Sequence, residues 1–165
     1  MKAIIFTFAL LLSLPLLNAQ KNHTSRSTKD VDINRMAGYW YEIGHLASAD
    51  GNELKNVCMK FGKKDKEHMQ RDVIGYNNKG HKVKVKNSLT YLGGGMFNDD
   101  EEGDMLVILS VDKDYQSMLI GTADMQNLWV MSRSKTMSYK MYQKMVKKAA
   151  DLNYDTTDVQ LASQK

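Results

Sequence analysis

Asp124-Met-Gln-Asn-Leu-Trp-Val-Met-Ser-Arg133, with its distant partner Gly38-Tyr-Trp-Tyr-Glu42, decides the reading of this chain. Residues 127–133 have the pattern of a strand that ends on an arginine, and residues 39–46 that of a strand that begins on a tryptophan just after a glycine. Trp129, Met131 and Arg133 share one face of the late strand, leaving Leu128, Val130 and Ser132 on the other. In the early strand Trp40, Glu42, Gly44 and Leu46 fall on one face, against Tyr41, Ile43 and His45.

Between them the chain alternates repeatedly. Val57, Met59 and Phe61 oppose Asn56, Cys58, Lys60 and Gly62, and Lys82-Val-Lys-Val-Lys86 puts valines on one face and lysines on the other. Such alternation suits a sheet with an apolar interior and a wet exterior. The lysine row reads as a solvated face, with weak contact to anionic membrane headgroups as the alternative. Strands are expected over residues 56–63, 68–76, 81–92, 105–111 and 116–122, separated by turns such as Asn77-Asn-Lys-Gly80 and Asp112-Lys-Asp-Tyr115. Gly93-Gly-Gly-Met-Phe-Asn98 leaves room only for a short or degenerate strand, which puts closure of the wall at issue. The acidic loop that follows, residues 99–104, fails the calcium-loop spacing because Leu109 stands where a bidentate carboxylate is required. A looser calcium site there stays open.

Ser138 can cap a helix from Tyr139 to Asp151, because its hydroxyl can accept from first-turn amides. Met141, Met145, Val146 and Ala149 form an apolar stripe, with Lys140, Lys144, Lys147 and Lys148 largely on the other sides. This stripe is expected to cover the outer faces of Leu128, Val130, Val107 and Leu109; a membrane-surface helix is the competing reading. A short edge strand is expected over residues 159–162.

Residues 1–19 carry Lys2, an apolar run broken by Pro15, and a small residue at Ala19, the pattern of a secretory signal peptide. Residues 20–30 read as a flexible polar tail, in which Asn22-His-Thr24 fits a glycosylation pattern that matters only in a eukaryotic secretory pathway. Cleavage would leave 146 residues, enough for one domain over residues 31–165. The formal charge of +4 is too weak to argue for nucleic acid. One cysteine, Cys58, forms no internal disulfide, so an exported domain has to stand on packing alone.

Taken in order, Gly38-Tyr-Trp-Tyr-Glu-Ile43, Asp112-Lys-Asp-Tyr115, Leu128-Trp-Val-Met-Ser-Arg133 and Asp151-Leu-Asn-Tyr-Asp155 resemble the lipocalins, in particular the bacterial outer-membrane lipocalin and apolipoprotein D group. The resemblance implies an all-β fold with one C-terminal helix, an eight-stranded antiparallel up-and-down barrel. It marks Gly38, Trp40, Asp112, Tyr115 and Arg133 as structural. It implies a carrier or scavenger of small hydrophobic ligands, fatty acids or lysophospholipids, bound without covalent chemistry and without a cofactor. The family's inward parity gives the lining Glu42, Leu46, Met59, Phe61, Leu106, Ile108, Leu119, Trp129 and Met131. The chain departs from the bacterial members at position 20, where Gln replaces the lipidated cysteine, so a periplasmic or secreted protein without a lipid anchor is expected.

Two other functions compete. A barrel enzyme has little support: Ser110, Ser117 and Ser132 lack a histidine nearby in sequence, no Gly-x-Ser-x-Gly elbow occurs, and His23, His45, His68 and His81 are scattered without metal-ligand spacing. A protein-binding module whose barrel is filled by methionine and phenylalanine side chains is the other reading. Oligomeric state is not legible in the sequence.

Overall fold

A computed structural model describes residues 31–46, 53–162 and 164. The expected signal peptide, polar tail and Asn22 glycosylation pattern lie outside the described residues. The chain begins with a one-turn helix, α1 (Ile33–Met36), and enters β1 (Gly38–Leu46). Then come β2 (Lys55–Lys63), β3 (His68–Tyr76), β4 (Lys82–Gly93), β5 (Met96–Asp99), β6 (Met105–Val111), β7 (Ser117–Thr122) and β8 (Leu128–Ser132). A helix, α2 (Tyr139–Asp151), and a last strand, β9 (Val159–Leu161), complete it.

Successive strands from β2 to β8 pair antiparallel, each with the next, and β1 closes the ring by pairing with both β8 and β2. The result is an eight-stranded up-and-down barrel with β9 outside it on β1. The glycine-rich middle does not leave a gap: β5 has four residues, yet it pairs with β4 through Met96–Asp99 and with β6 through Met96–Asn98. Closure removes free sheet edges from the wall. Where β1 and β2 diverge, Gln164 bridges the seam, its Nε2 donating to the carbonyls of Glu42 (2.8 Å) and Val57 (2.9 Å).

Two apolar clusters lie on opposite sides of the wall. Inside are Trp40, Met59, Phe61, Met69, Leu89, Phe97, Ile108, Met118, Ile120 and Met131, with Met36 of α1 beneath them. Outside, Ile43, Val107, Leu109, Leu119, Leu128 and Val130 pack under Tyr142, Met145 and Ala149 of α2. The helix is therefore a cover for the outer face, as its stripe implied, although Tyr142 carries more of the contact than Met141 or Val146. Ser138 caps it by accepting from the Met141 amide at 3.3 Å. Asn153, at φ 65°, ends it: the Tyr154 amide returns to the Ala149 carbonyl and the Asn153 amide to that of Ala150. That turn aims Tyr154 across the sheet, where its hydroxyl donates to the Thr122 carbonyl at 2.7 Å.

Candidate ligand-binding site

The closed end of the barrel is built around Trp40, which is fully buried. Its indole N–H donates to the Met36 carbonyl at 2.8 Å, and the Arg133 guanidinium carbon lies 3.9 Å from its ring centroid. Arg133 also donates to the carbonyls of Tyr39 (2.9 Å), Arg35 (2.7 Å) and Tyr115 (3.3 Å), which ties the first strand, α1 and the β6–β7 turn to the last strand of the ring. Gly38 has φ +102°, and a Cβ there would stand 3.1 Å from an Arg133 nitrogen, so glycine precedes the tryptophan for both reasons. The Asp112 carboxylate accepts from the amides of Asp114, Gln116 and Ser117 and from the Ser117 hydroxyl. Burial pushes its carboxyl up, but those hydrogen bonds together outweigh the effect and hold it below the ordinary value. The turn they fix presents Tyr115, whose hydroxyl accepts from the Asp32 amide (2.8 Å) and whose ring lies under the Arg35 guanidinium (4.2 Å).

Midway up the interior the lining turns polar. Arg71 and Asn87 face each other across β3 and β4, and both donate to the buried Asp99 carboxylate of β5, Arg71 at 2.6 Å and Asn87 at 3.0 Å. Asp99 also accepts from the amides of Glu101 and Glu102. The acidic loop thus folds around an internal ion pair, and among the described residues no cluster with metal-holding composition forms. Arg71 Nε and Asn87 Oδ1 are buried without a partner.

Across the barrel, β1 bulges between Glu42 and Gly44: Glu42 stands opposite Met131, Gly44 opposite Val130 and His45 opposite Trp129. The extra residue, Ile43, takes its side chain outward, and His45 turns inward beside Glu42. His45 Nδ1 lies 2.8 Å from Glu42 Oε1, and Nε2 lies 3.1 Å from Glu53 Oε2. The hydrogen bond to Glu42 outweighs the cost of burial and, with the field of both carboxylates, pushes the imidazole up to about 9, so it is a cation at neutral pH.

Above this girdle the barrel is hollow. A cavity of about 290 Å³ opens there, with Leu46, Leu54, Val57, Met59, Val73, Val85, Leu106 and Trp129 as its apolar walls. A second recess of about 440 Å³, between β9 and the start of β2, meets it at Glu42, His45, Glu53 and Leu54.

The lipocalin-like domain family matches residues 31–164. The chain belongs to that family. Temperature-induced lipocalin-1 of Arabidopsis thaliana is 40% identical over 48 residues, 29% of this chain and 26% of that protein, so the match spans only about a quarter of the curated relative. Among solved structures, the major allergen Per a 4 from cockroaches superposes with a TM-score of 0.70 at 15% identity, over 84% of this chain and 92% of that one. Lobster apocrustacyanin A1 gives 0.64 at 19% identity over 80% and 79%. The siderocalin Ex-FABP gives 0.65 at 17% over 79% and 95%. At these identities the solved structures share the lipocalin fold; their ligands are their own.

Of the nine lining residues expected for a lipocalin, Glu42, Leu46, Met59, Leu106 and Trp129 border the cavity. Phe61, Ile108 and Met131 are inside the barrel but below it, in the filled floor. Leu119 is misplaced by the sequence reading: it lies outside, under α2. In the β7–β8 register Ile120 stands opposite Trp129, which makes Met118 and Ile120 the inward residues. Both faces of β7 are buried, so hydropathy alone did not set its parity. His45, expected to face outward, is the other reversal, caused by the bulge. Arg71, Asn87 and Asp99 were missed although a signal existed: Arg71 has the parity of Met69 and Val73, and Asn87 that of Val85 and Leu89. Cys58 is half-buried, and burial pushes its thiol up, which opposes nucleophilic reactivity.

Proposed function

We propose that this lipocalin is an exported carrier or scavenger that holds a small hydrophobic molecule, without covalent chemistry, in the upper half of its barrel. Family members are typically ligand carriers rather than enzymes. The observation that carries the reading is the cavity of about 290 Å³ above the girdle, walled by aliphatic side chains and half-buried Trp129. Ligand pockets run from roughly 300 to 1,000 Å³, so this one takes a single ring or one short chain. Fatty acids and lysophospholipids, the ligands implied by likeness to the bacterial outer-membrane lipocalin and apolipoprotein D group, would fit through a tail that is short or projects from the mouth. Each buried methylene contributes about 0.8 kcal/mol before ordering costs, which supports micromolar affinity.

The imidazole bordering the cavity faces carboxylates with both nitrogens, which leaves it poorly placed to serve a hydroxyl nucleophile as base. The reading of the barrel as wholly filled is favoured for the floor only. Export, to a periplasm or out of the cell, rests on residues 1–19, and N-terminal sequencing of mature protein tests it. The function itself is tested by native mass spectrometry of protein purified without organic solvent. A carrier shows a small-molecule adduct released on denaturation; a bare mass, together with no uptake of added long-chain alcohols, contradicts the proposal.

A further inference from the structure

We propose that the preferred ligand carries a cationic head: an ammonium attached to a short apolar tail, rather than a carboxylate. This rests on the carrier reading above and narrows its ligand. Four carboxylates border the cavity, Glu42, Glu53, Glu102 and Asp104, against two cations, His45 and Arg71. Both cations are already engaged. Arg71 lies 2.6 Å from Asp99 and 3.6 Å from Glu102, while His45 is held between Glu42 and Glu53. The border therefore retains excess negative charge, and buried Asp99 adds to it from behind Arg71. A fatty-acid head entering here meets repulsion from walls of low dielectric and finds each cation spent on a neighbour.

An independent feature points the same way. Asn87 is 2% exposed, borders the cavity, and commits its amide N–H to Asp99, while its Oδ1 accepts from nothing in the protein. A buried acceptor without a donor is costly, and an ammonium N–H satisfies it. Arg71 Nε is buried and unpartnered too. Because Asp99 already neutralises that guanidinium, it calls for a neutral acceptor, such as a hydroxyl beside the amine, and not for a second carboxylate.

The test is a matched series with one tail: decylamine, decanol and decanoate, titrated against Trp129 emission at pH 7 in low salt. Decylamine should bind at least tenfold more tightly than decanoate and more tightly than decanol, with the gap narrowing in high salt because charges at the mouth are screened. In the E102Q/D104N double variant, two changes on an exposed loop, the decylamine-to-decanol affinity ratio should fall toward one. Decanoate binding as tightly as decylamine overturns the cationic-head proposal and leaves the carrier standing. Saturable decanol binding without any advantage for the amine does the same. If none of the three binds, both the head preference and the carrier reading fall.

Discussion

Below the Arg71–Asp99 pair, Met69, Leu89 and Phe97 close on Trp40 and Met131; above it, Val73, Val85 and Trp129 stand apart around open space. The same strands line both halves with the same two-residue alternation. Side-chain volume and closure of the end make the difference. The lower half is packed with aromatics and methionines and capped by α1, whereas the upper wall carries valines and reaches an open mouth. Between them lies the layer in which Arg71 and Asn87 donate to buried Asp99. One barrel thus joins a packed floor to a hollow cup, and on the proposed function stability is expected from the first and binding from the second.

That division can be broken or sharpened by substitution. Trp40→Ala should cost the most, about 3 to 5 kcal/mol, because it empties the centre of the floor and strands Arg133 without its aromatic partner. Urea denaturation reads this directly, and a loss below about 1 kcal/mol would show that the floor is not where stability resides.

The charged layer should register next, as a pH effect. His45 has its folded-state value raised from 6.5 to about 9. Its stabilisation is therefore fully present below about pH 6.5 and lost as pH rises through about 9. Allowing for the part of the ring that water reaches, the loss should be on the order of 2 kcal/mol, and His45→Asn should flatten it. A stability curve level from pH 6 to 10 in the unsubstituted protein would place the imidazole outside the ion pairs described.

The smallest effect belongs to the mouth. Val85 is 42% exposed on the cavity border, so Val85→Ala should change stability by no more than about 0.5 kcal/mol while weakening ligand binding. The same truncation at the floor, Leu89→Ala, should cost about 2 to 5 kcal/mol. Equal costs at the two sites would erase the contrast between the halves.

Much of the floor was legible in the sequence because its parts are unusual residues at fixed places. A glycine before Trp40, an arginine ending β8 and an aspartate opening the β6–β7 turn each have a specific contact to make. Helix α2 was equally plain, since a capping serine and an apolar stripe name both its start and its buried side. The cup was harder. A β-bulge at Ile43 leaves no mark in hydropathy, yet it shifts the register beyond Glu42 and brings His45 into the site. Leu119 was misassigned because β7 is buried on both sides, so alternation carried no information there. The Arg71–Asn87–Asp99 layer lay within reach of parity arguments, but the sequence reading gave none of the three an inward place. How far side chains fill a barrel depends on packing volume, which a pattern of polar and apolar residues does not encode.

On the proposed function, ligand enters the half lined by Trp129 and never reaches the half sealed by Trp40. Titrating decanol into the unsubstituted protein and into Trp129→Phe, with tryptophan emission as the readout, tests it most directly. A saturable shift is expected in the unsubstituted protein and a flat response in the variant, whose remaining indole is fully buried beneath Arg133. A shift that survives in Trp129→Phe would put ligand beside Trp40 and contradict the division of the barrel into a solid floor and a hollow cup.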